Sequence, residues 1–447
     1  MKAIATELLD NLPSELGIDI VTWEELASSQ QEKIVSAISY GCSEAITTPF
    51  HTPNCVVYPH TQAALGDVIR VANQKGWSTL TIGNGSKASW GGLINKVDLA
   101  ISTQNINRLI DHAVGDLTIT IEAGMKLVEV QEILAKENQF LPIDSAFPQN
   151  ATIGGIIATA DTGSWRQRYG GVRDMVLGIS FVRADGEIAK AGGRVVKNVA
   201  GYDLMKLLTG SFGTLGIISQ VTLRTYPLPP DSQTILLTGD NRAIATAAQT
   251  LRNSSLTPTR ADLLSQGIVG ALGLQESFGL ILGFQSLTAS VEAQCQQIQK
   301  LGEELGLQTT LYQGESEDKL WQELTSLMVN PTSQLSVTCK IGVLPSTAMA
   351  TLAYLDEVTS KEGLGLIHNG SGIGKLHFNS EKSSTHVQEL RLSCQQNQGF
   401  LTILNSSAEL KQKVEPWGYT GNAMAMMKGL KEKFDPQNIL SPGRFFN

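Results

Sequence analysis

The sequence predicts an α+β fold with more than one domain. The chain has 447 residues, which exceeds a single compact core, and its hydrophobic fraction of 42% can fill two or three cores. From Val56 onward, short β-rich runs alternate with amphipathic helical segments. The turn-forming sequence L-P-P-D at residues 228–231 indicates a domain boundary, after which helices and strands alternate again.

Residues 1–53 are predicted to form a helical N-terminal arm. Thr22 and two glutamates open the run W-E-E-L-A, and Ile34, Ala37 and Ile38 recur at helical spacing. No residue pattern that carries chemistry occurs in this segment. It is therefore interpreted as an arm or lid.

Residues 54–228 are predicted to form the first full domain. V-V-Y-P is a strand, T-Q-A-A-L-G-D-V-I-R-V-A-N-Q-K-G is an amphipathic helix, and S-T-L-T-I-G is a strand that ends in G-N-G-S-K. A glycine turn after a strand is a position where a phosphate group can lie against backbone N–H groups.

Residues 229–400 are predicted to form an α+β cap domain, an antiparallel sheet flanked by helices. Its helices include A-Q-C-Q-Q-I-Q-K-L-G-E-E-L, and its strands include F-G-L-I-L-G-F and L-S-V-T-C-K-I-G-V-L. Residues 401–447 form a C-terminal segment in which a helix stops at Asp435 and Pro436. This segment is expected to return to the first domain.

Composition excludes several classes of function. The formal net charge of −8 disfavours a nucleic-acid surface, which needs clustered lysine and arginine. The five scattered cysteines form no C-x-x-C pair, so they are expected to be reduced and structural. The N-terminus has neither a secretory signal nor a transmembrane pattern, which predicts a cytoplasmic protein whose membrane attachment, if any, comes through a partner.

The most informative stretch lies between Pro148 and Pro227. It contains A-T-I-G-G, R-Y-G-G-V-R-D, K-N-V-A-G-Y-D and S-F-G-T-L-G-I-I in that order. Each glycine-rich turn lets backbone N–H groups approach a large anionic ligand closely. A dinucleotide such as FAD needs several such turns, so the ordered set predicts a flavin-binding protein.

These motifs resemble those of the vanillyl-alcohol-oxidase type of FAD-linked oxidoreductases, and within that family the flavin subunits of glycolate oxidase (glycolate dehydrogenase). The resemblance runs from Val56 to Arg444 and is most specific in the segment from Gly192 to Ile218 and in the closing F-D-P-Q-N-I-L-S-P-G-R. It implies a PCMH-type FAD-binding domain of two parts with an α+β cap.

The resemblance also implies a set of FAD-binding residues. They are Gly83, Asn84, Gly85, Ser86, Lys87, Trp90, Gly91, Thr152, Ile153, Gly154, Gly155, Ala158, Thr159, Thr162, Gly163, Arg168, Asn198, Tyr202, Gly216 and Ile218. Taken alone, G-N-G-S-K is as often an ordinary turn, the segment from Thr152 is compatible with a close-packed helix start, and Tyr202 is compatible with a packed aromatic.

Two further expectations concern the cofactor. Relatives that attach flavin covalently use a histidine or cysteine in the first loop, and this loop has neither, so noncovalent FAD is expected. No G-x-G-x-x-G turn with a following acidic residue occurs between a strand and a helix, which argues against nicotinamide binding.

Flavin oxidation of a 2-hydroxy acid needs a carboxylate anchor and a base or metal that takes the hydroxyl proton. Lys340 matches a substrate lysine in related D-2-hydroxy-acid dehydrogenases, and its alternative is an ordinary lysine at a sheet edge. His368 and His377 lie where those relatives carry the metal motif H-x-G-D-G-N-x-H. Here the acidic residue of that motif is lost, the histidine spacing is changed, and the later E-H-G is missing. No third ligand is identifiable, so the site is predicted without metal, with a divalent ion on the two histidines as the alternative.

The resemblance therefore predicts a flavin subunit of a glycolate or D-lactate dehydrogenase. Its partners would be a small 2-hydroxy acid such as glycolate, a sister flavin subunit and an iron–sulfur subunit that passes electrons onward. Two alternatives stay open at this point. One is an FAD-stabilised assembly subunit without turnover of its own, and the other is a standalone oxidase that uses oxygen.

Overall fold

The computed structural model describes residues 2–13, 16–38, 52–193, 202–329 and 335–445. The chain divides into two compact units. Unit 1 comprises Met1–Thr162, Gly171–Pro227 and Thr420–Asn447, and unit 2 comprises Gly163–Gly170 and Leu228–Tyr419.

Helices and strands alternate along the described ranges, with two short 3₁₀ helices at Trp23–Glu25 and Val114–Asp116. The helices are α1 (Lys2–Asp10), α2 (Ser28–Val35), α3 (Gln62–Lys75), α4 (Leu127–Ala135), α5 (Ile153–Thr159), α6 (Arg166–Tyr169), α7 (Val172–Met175), α8 (Leu204–Leu208), α9 (Asn241–Arg252), α10 (Gln266–Ala271), α11 (Thr288–Glu304), α12 (Glu315–Leu327), α13 (Ala348–Val358), α14 (Ser383–Gln396), α15 (Ala408–Lys413) and α16 (Met424–Phe434). The strands are β1 (Ile18–Thr22), β2 (Cys55–Pro59), β3 (Thr79–Ile82), β4 (Leu99–Ser102), β5 (Leu109–Ala113), β6 (Thr118–Glu122), β7 (Gln139–Phe140), β8 (Val176–Val182), β9 (Ile188–Gly192), β10 (Ile217–Arg224), β11 (Tyr226–Pro227), β12 (Asp231–Gly239), β13 (Arg260–Leu264), β14 (Phe278–Ser286), β15 (Gln308–Gln313), β16 (Ser336–Gly342), β17 (Leu364–His368), β18 (Ile373–Asn379) and β19 (Phe400–Asn405).

The first sheet of unit 1 has the strand order β1-β2-β4-β3 in the described part of the chain. Strands β2, β3 and β4 are parallel, and α3 supplies the crossover from β2 to β3. Helix α3, predicted from its periodicity, is confirmed. It begins at Thr61, whose side chain accepts a hydrogen bond from the Ala64 amide, and it ends at Gly76 with a left-handed φ of 65°.

Strand β1 corrects the prediction that residues 1–53 form a helical arm. Its sequence I-D-I-V-T is rich in β-branched residues, and it pairs antiparallel with β2 from Ile18↔Pro59 to Thr22↔Cys55. Ile18 and Ile20 pack against the core beneath the sheet. The helical periodicity read from this region belongs to α1 and α2, which flank the strand.

The second sheet of unit 1 has the order β5-β6-β10-β8-β9 and is antiparallel within the described ranges. Apolar side chains of α3, of β2 and β4, and of β8 and β10 form one buried cluster that includes Leu65, Ile69, Ile101, Val182 and Ile217. Burial of these side chains holds both sheets of unit 1 against α3.

Of the predicted C-terminal segment 401–447, residues 420–447 belong to unit 1, whereas residues 401–419 belong to unit 2. Helix α16 ends at Phe434, immediately before the predicted stop at Asp435 and Pro436. The buried carboxylate of Asp435 accepts hydrogen bonds from the Ile439 and Leu440 amides and pairs with Lys431 at 2.5 Å. Leu440 bridges to Thr79 at the start of β3, so this segment is tied to the first sheet.

Unit 2 contains an antiparallel sheet with the order β15-β12-β14-β13-β17-β18-β16-β19. One face of this sheet carries apolar side chains that pack against α9, α11, α13 and α14. On the other face, α10 and α12 cover β12, β14 and β13 through a smaller apolar cluster. The predicted α+β class, with an antiparallel sheet flanked by helices, is confirmed.

The short excursion Gly163–Gly170 is held inside unit 2 by aromatic contacts. The guanidinium group of Arg260 on β13 lies 3.7 Å from the ring centroid of Trp165 and 4.2 Å from that of Trp321. Such cation–π contacts are strongest where the cation is desolvated. No helix in the described ranges is both long enough and apolar enough to span a membrane.

Candidate functional site

A cleft with an empty volume of about 710 Å³, its open mouth included, lies in unit 1. Three glycine-containing stretches line it, residues 81–88, 152–159 and 212–218, together with Thr103 and Arg444. The loop after β3, the start of α5 and the loop before β10 therefore meet around one cavity.

Many of the residues predicted to bind FAD line this cleft. They are Gly83, Asn84, Gly85, Ser86, Lys87, Thr152, Gly154, Gly155, Ala158, Thr159, Gly216 and Ile218. Trp90 and Ile153 are buried beside it without lining it, and Thr162 accepts a long hydrogen bond from the Val172 amide. Gly91 adopts a positive φ in the first loop but does not line the cleft, Tyr202 is 92% exposed, and Asn198 lies outside the described residues.

Gly163 and Arg168 belong to unit 2, within its excursion Gly163–Gly170. Arg168 is exposed on the short helix α6. These two predicted residues therefore belong to a different unit from the residues that line the cleft.

Close packing explains why the first loop needs glycine. A Cβ atom at Gly83 would lie 2.1 Å from the Thr152 Oγ1 atom, far inside van der Waals contact. A Cβ atom at Gly154 would lie 2.8 Å from the Cβ of Ala123. Neither position has space for a side chain. These distances show that the loop after β3 lies directly on the start of α5, with its backbone facing the cleft.

A buried ion pair supports the cleft wall. Lys87 Nζ lies 2.9 Å from Asp161 Oδ2 and donates a hydrogen bond of 3.0 Å to Ser145 Oγ. The same Asp161 oxygen accepts hydrogen bonds from Ser145 Oγ at 2.9 Å and from the Ala146 amide at 2.7 Å. The pair thus joins the first glycine loop to residues 145–146 and to the end of α5.

Arg444 also lines the cleft, and it is not among the residues predicted from sequence. Its guanidinium group is buried and donates to the carbonyl oxygens of Ala88 at 2.8 Å and Gly92 at 3.1 Å. Desolvation lowers its pKa to about 10, so the group stays charged at neutral pH. The closing motif S-P-G-R was the available signal, but sequence alone did not tell which groups the arginine would meet.

Other cleft residues were also missed. They are Thr81, Ile82, Ala88, Thr103, Phe212, Gly213 and Ile217. Phe212 and Gly213 belong to the quoted motif S-F-G-T-L-G, so that motif carried a signal for both. Thr103 follows β4 without any local pattern, and only the parallel pairing of β3 and β4 brings it to the cleft.

The three predicted catalytic residues lie on one face of the unit 2 sheet. Lys340 on β16 is opposite Lys375 on β18, and His377 lies two residues further along β18 on the same side. His377 is also opposite Leu364, and His368 lies four residues beyond Leu364 on β17. Since side chains of a strand alternate between faces, these residues share the face opposite the apolar core of α9, α11, α13 and α14.

His368 is oriented by a buried carboxylate. Asp262 lies opposite it on β13, and Asp262 Oδ1 is 2.5 Å from His368 Nδ1. Both side chains are almost fully buried, and Asp262 Oδ2 has no hydrogen-bond partner in the described residues. Such a contact holds the ring in one orientation and leaves Nε2 as the nitrogen that can take a proton. Asp262 is a residue that sequence reasoning missed, because only strand pairing brings it to His368.

His377 differs from His368 in its surroundings. Its Nδ1 atom lies 3.0 Å from Thr338 Oγ1 and its Nε2 atom 3.4 Å from Ser336 Oγ, so hydroxyl groups face both ring nitrogens. Burial lowers the pKa of His377, which favours the neutral ring. Among the side chains that the structure describes, no three histidine, cysteine, aspartate or glutamate residues come together as a metal site.

Comparison with known proteins connects the cleft to a family. Residues 53–192 match the FAD binding domain family, and residues 410–445 match the C-terminal domain of FAD linked oxidases. The first match contains both the loop at 83–88 and the segment at 152–159 that line the cleft. This chain is an FAD-linked oxidoreductase.

Relatives and solved structures agree with that membership. The oxidoreductase is 25% identical over 426 residues to the glycolate oxidase subunit GlcD of Bacillus subtilis, covering 88% of this chain and 89% of that protein. It is 33% identical over 172 residues to the glycolate oxidase subunit GlcE of Escherichia coli, covering 38% and 48% of the two chains. The structure of 4-ethylphenol oxidase from Gulosibacter chungangensis shares the fold with a TM-score of 0.74 at 13% identity, covering 99% of this chain and 96% of that one.

FAD is the cofactor of this oxidoreductase, and the cleft fits it. The glycines at 83 and 154 leave no space for side chains, so backbone N–H groups can approach a pyrophosphate. Arg444 adds a buried positive charge to the same walls, whereas the charge of Lys87 is balanced by the carboxylate of Asp161. The chemistry of the cleft residues therefore suits a large anionic ligand.

Proposed function

We propose that this FAD-linked oxidoreductase oxidises a small 2-hydroxy acid such as glycolate or D-lactate. The observation that carries the proposal is the common face of Lys340, His368 and His377 on the unit 2 sheet. It is supported by the similarity to a glycolate oxidase subunit along most of both chains. The side chains of this face include a group that can hold the substrate carboxylate and a group that can accept the hydroxyl proton. The electron acceptor is the flavin.

Lys340 is proposed to hold the substrate carboxylate, because an ammonium group is a strong donor to carboxylate oxygens. His368 is proposed to accept the hydroxyl proton at Nε2, with its ring held by Asp262 through Nδ1. FAD, when bound, supplies the acceptor for the hydride that leaves the carbinol carbon. His377 stays neutral and is proposed to shape the face through its contacts with two hydroxyl groups rather than to exchange protons.

The cofactor-binding part of the proposal comprises the predicted residues that line the cleft, with Arg444 added to them. We further propose that the protein works as a flavin subunit beside a sister flavin subunit and an iron–sulfur subunit. The similarity to GlcE supports an assembly of this kind. Electrons would then leave the reduced flavin towards the iron–sulfur partner or a quinone.

The test is an anaerobic absorbance spectrum of the FAD-loaded chain, recorded before and after addition of glycolate and then of D-lactate. Loss of the oxidised-flavin band with either acid is the expected result. The variant His368→Gln should load FAD normally and lose the bleaching. A wild-type flavin spectrum that stays oxidised with both acids would contradict the proposed oxidation.

A second candidate is an FAD-stabilised assembly subunit with no turnover of its own. One observation in its favour is that identity to GlcE, over 172 residues, is higher than identity to GlcD. The other is that Ser371 stands where the metal motif of related dehydrogenases has an acidic residue. The same titration separates the two candidates. Addition of the purified partner subunits to an unreactive chain should then restore electron transfer from glycolate.

A further inference from the structure

One ammonium group on α16 connects a loop of the cleft to the C-terminal segment. Lys431 Nζ donates to the Thr214 carbonyl oxygen at 3.0 Å and to the Leu440 carbonyl oxygen at 2.9 Å. It also pairs with the buried carboxylate of Asp435 at 2.5 Å. An ammonium group has three N–H donors, so these contacts use all of them. Because the Lys431 side chain is only 14% exposed, these contacts are largely shielded from water.

The Thr214 carbonyl group follows a turn with an unusual backbone conformation. Phe212 has a φ of 52° and Gly213 a φ of 73°, so both lie in the left-handed region. Glycine adopts this region readily, but phenylalanine adopts it only where surrounding contacts hold it there. The Phe212 amide donates to the Ala158 carbonyl oxygen at 2.8 Å, so α5 holds one side of the turn. Lys431 holds the other side through Thr214.

The position of this turn affects the shape of the cleft. Phe212 and Gly213 line the cleft, and so does Thr81 of β3. A Cβ atom at Gly213 would lie 3.6 Å from Thr81 Cβ, so the turn packs directly against the strand that leads to the first glycine loop. A displacement of Thr214 would therefore move two lining residues relative to the loop at residues 83–88.

The second carbonyl contact of Lys431 reaches another part of the cleft wall. Leu440 precedes Ser441, whose φ of 47° is also left-handed. The Ser441 amide donates to the Thr79 carbonyl oxygen at 2.8 Å, which joins this segment to the start of β3. The segment then continues to Arg444, which lines the cleft. One side chain thus holds two separate parts of the chain that shape the same cavity.

We infer that Lys431 is a positioning residue for the cofactor, which holds the turn at Phe212 and Gly213 in the conformation that FAD binding requires. Lys431 does not itself line the cleft, so it acts through the Thr214 carbonyl oxygen rather than by contact with the ligand. This role rests on the part of the proposed function that assigns FAD to the cleft. It is independent of which acid the enzyme oxidises.

The test compares Lys431→Met with the wild-type full chain by hydrogen–deuterium exchange without FAD and by titration with FAD. The Gly210, Phe212 and Thr214 amides are hydrogen-bonded in and around the turn. They should exchange at least about tenfold faster in the variant, because a hydrogen bond from a charged group has been lost. FAD binding, measured by quenching of flavin fluorescence, should weaken by about tenfold or more.

A second variant separates positioning from stability. Lys431→Met leaves Asp435 as a buried charge without its partner, which lowers the free energy of unfolding. When Lys431→Met is combined with Asp435→Asn, this charge is absent, so thermal stability should recover towards the wild-type value. The amides of the turn should still exchange faster and FAD should still bind about tenfold more weakly, because the contact with Thr214 is still missing.

Lys433→Met is the matched control, since Lys433 is an exposed residue of the same helix. It should match the wild type in exchange rates and in FAD affinity. Two results would overturn the inference: wild-type exchange rates at the turn in Lys431→Met, or wild-type FAD affinity in the double variant while Gly83→Ala is impaired. Failure of the cofactor assignment looks different. In that case Gly83→Ala binds FAD as tightly as the wild type, while the turn of Lys431→Met still exchanges faster.

Discussion

Lys87 Nζ lies 2.9 Å from Asp161 Oδ2, and both side chains are almost fully buried at the cleft of unit 1, which Lys87 lines. Desolvation offsets much of the attraction in such a pair, so its net contribution to the free energy of unfolding is small. Loss of one partner is different, because it leaves a buried charge without compensation. The pair therefore places the first glycine loop relative to residues 145–146 and α5.

Replacement of Lys87 by methionine should weaken FAD binding by at least about tenfold and lower the free energy of unfolding by about 3–5 kcal/mol. FAD binding is measured by quenching of flavin fluorescence on reconstitution of the apoprotein. The control is Lys33→Met, since Lys33 is exposed and contacts the Asn84 carbonyl oxygen of the same loop from outside the cleft lining. Unchanged FAD affinity in Lys87→Met would refute this role.

Gly83→Ala should strongly impair FAD loading. The new Cβ atom would lie 2.1 Å from Thr152 Oγ1, so the loop must move away from α5. Overpacking of this kind costs about 1–3 kcal/mol of folding stability. Gly115→Ala is the matched control in the same unit, because no atom lies within 4 Å of its Cβ position. The measurement is the ratio of flavin to protein absorbance after purification, and equal ratios for both variants would contradict the steric explanation.

Asp262→Asn should lower turnover with the accepted hydroxy acid by about 10²–10⁴-fold while FAD content stays at the wild-type level. The asparagine retains the shape of the side chain but no longer stabilises a protonated His368 ring. His368→Gln should have a similar effect, and the double variant should be no worse than the more impaired single variant, because the two residues act as one unit. Additive losses would show that Asp262 and His368 act independently.

The stability of the protein should depend on pH through Asp356. Burial raises the pKa of this carboxyl group to about 6. The folded chain therefore binds the proton more tightly than the unfolded chain does, and stability falls as the pH rises from about 4 to about 6. Asp356→Asn should be more stable than wild type by about 1–3 kcal/mol at pH 8 and nearly equal to it at pH 4. Urea denaturation at both pH values measures this difference, and the same difference at pH 4 and pH 8 would exclude Asp356 as its source.

The flavin should leave the protein on denaturation. The loop at residues 83–91 contains neither histidine nor cysteine, so it offers no side chain for the covalent attachment found in some relatives. Precipitation with acid should therefore release all flavin into the supernatant, where its absorbance is measured. Yellow colour that stays with the washed pellet would indicate a covalent bond elsewhere in the chain.

Local sequence patterns predicted the parts of the fold that depend on neighbours in the chain. Helix α3 and the glycine turn after β3 are of this kind, because periodicity and turn chemistry are local properties. Strand β1 escaped prediction, since five residues between two helices give a weak signal that pairing with β2 decides.

The main contacts of the site depend on strand pairing and could not be predicted. Asp262 and His368 are 106 residues apart, and only the pairing of β13 with β17 brings them together. The same holds for Lys340 and Lys375, whose opposition follows from the register of β16 and β18. Local patterns therefore named candidate residues, but they did not show which of these residues meet.

Arg444 donates to the carbonyl oxygen of Gly92, a residue 352 positions earlier in the chain. The loop that contains Gly92 is synthesised long before this arginine. The cleft of a nascent chain therefore lacks one of its lining residues during most of synthesis. We therefore expect a chain that ends before Arg444 to bind FAD weakly, because this part of the cleft wall is missing. FAD binding would then require a chain that extends to residue 444. Chains truncated before this residue should purify without bound flavin and therefore without yellow colour.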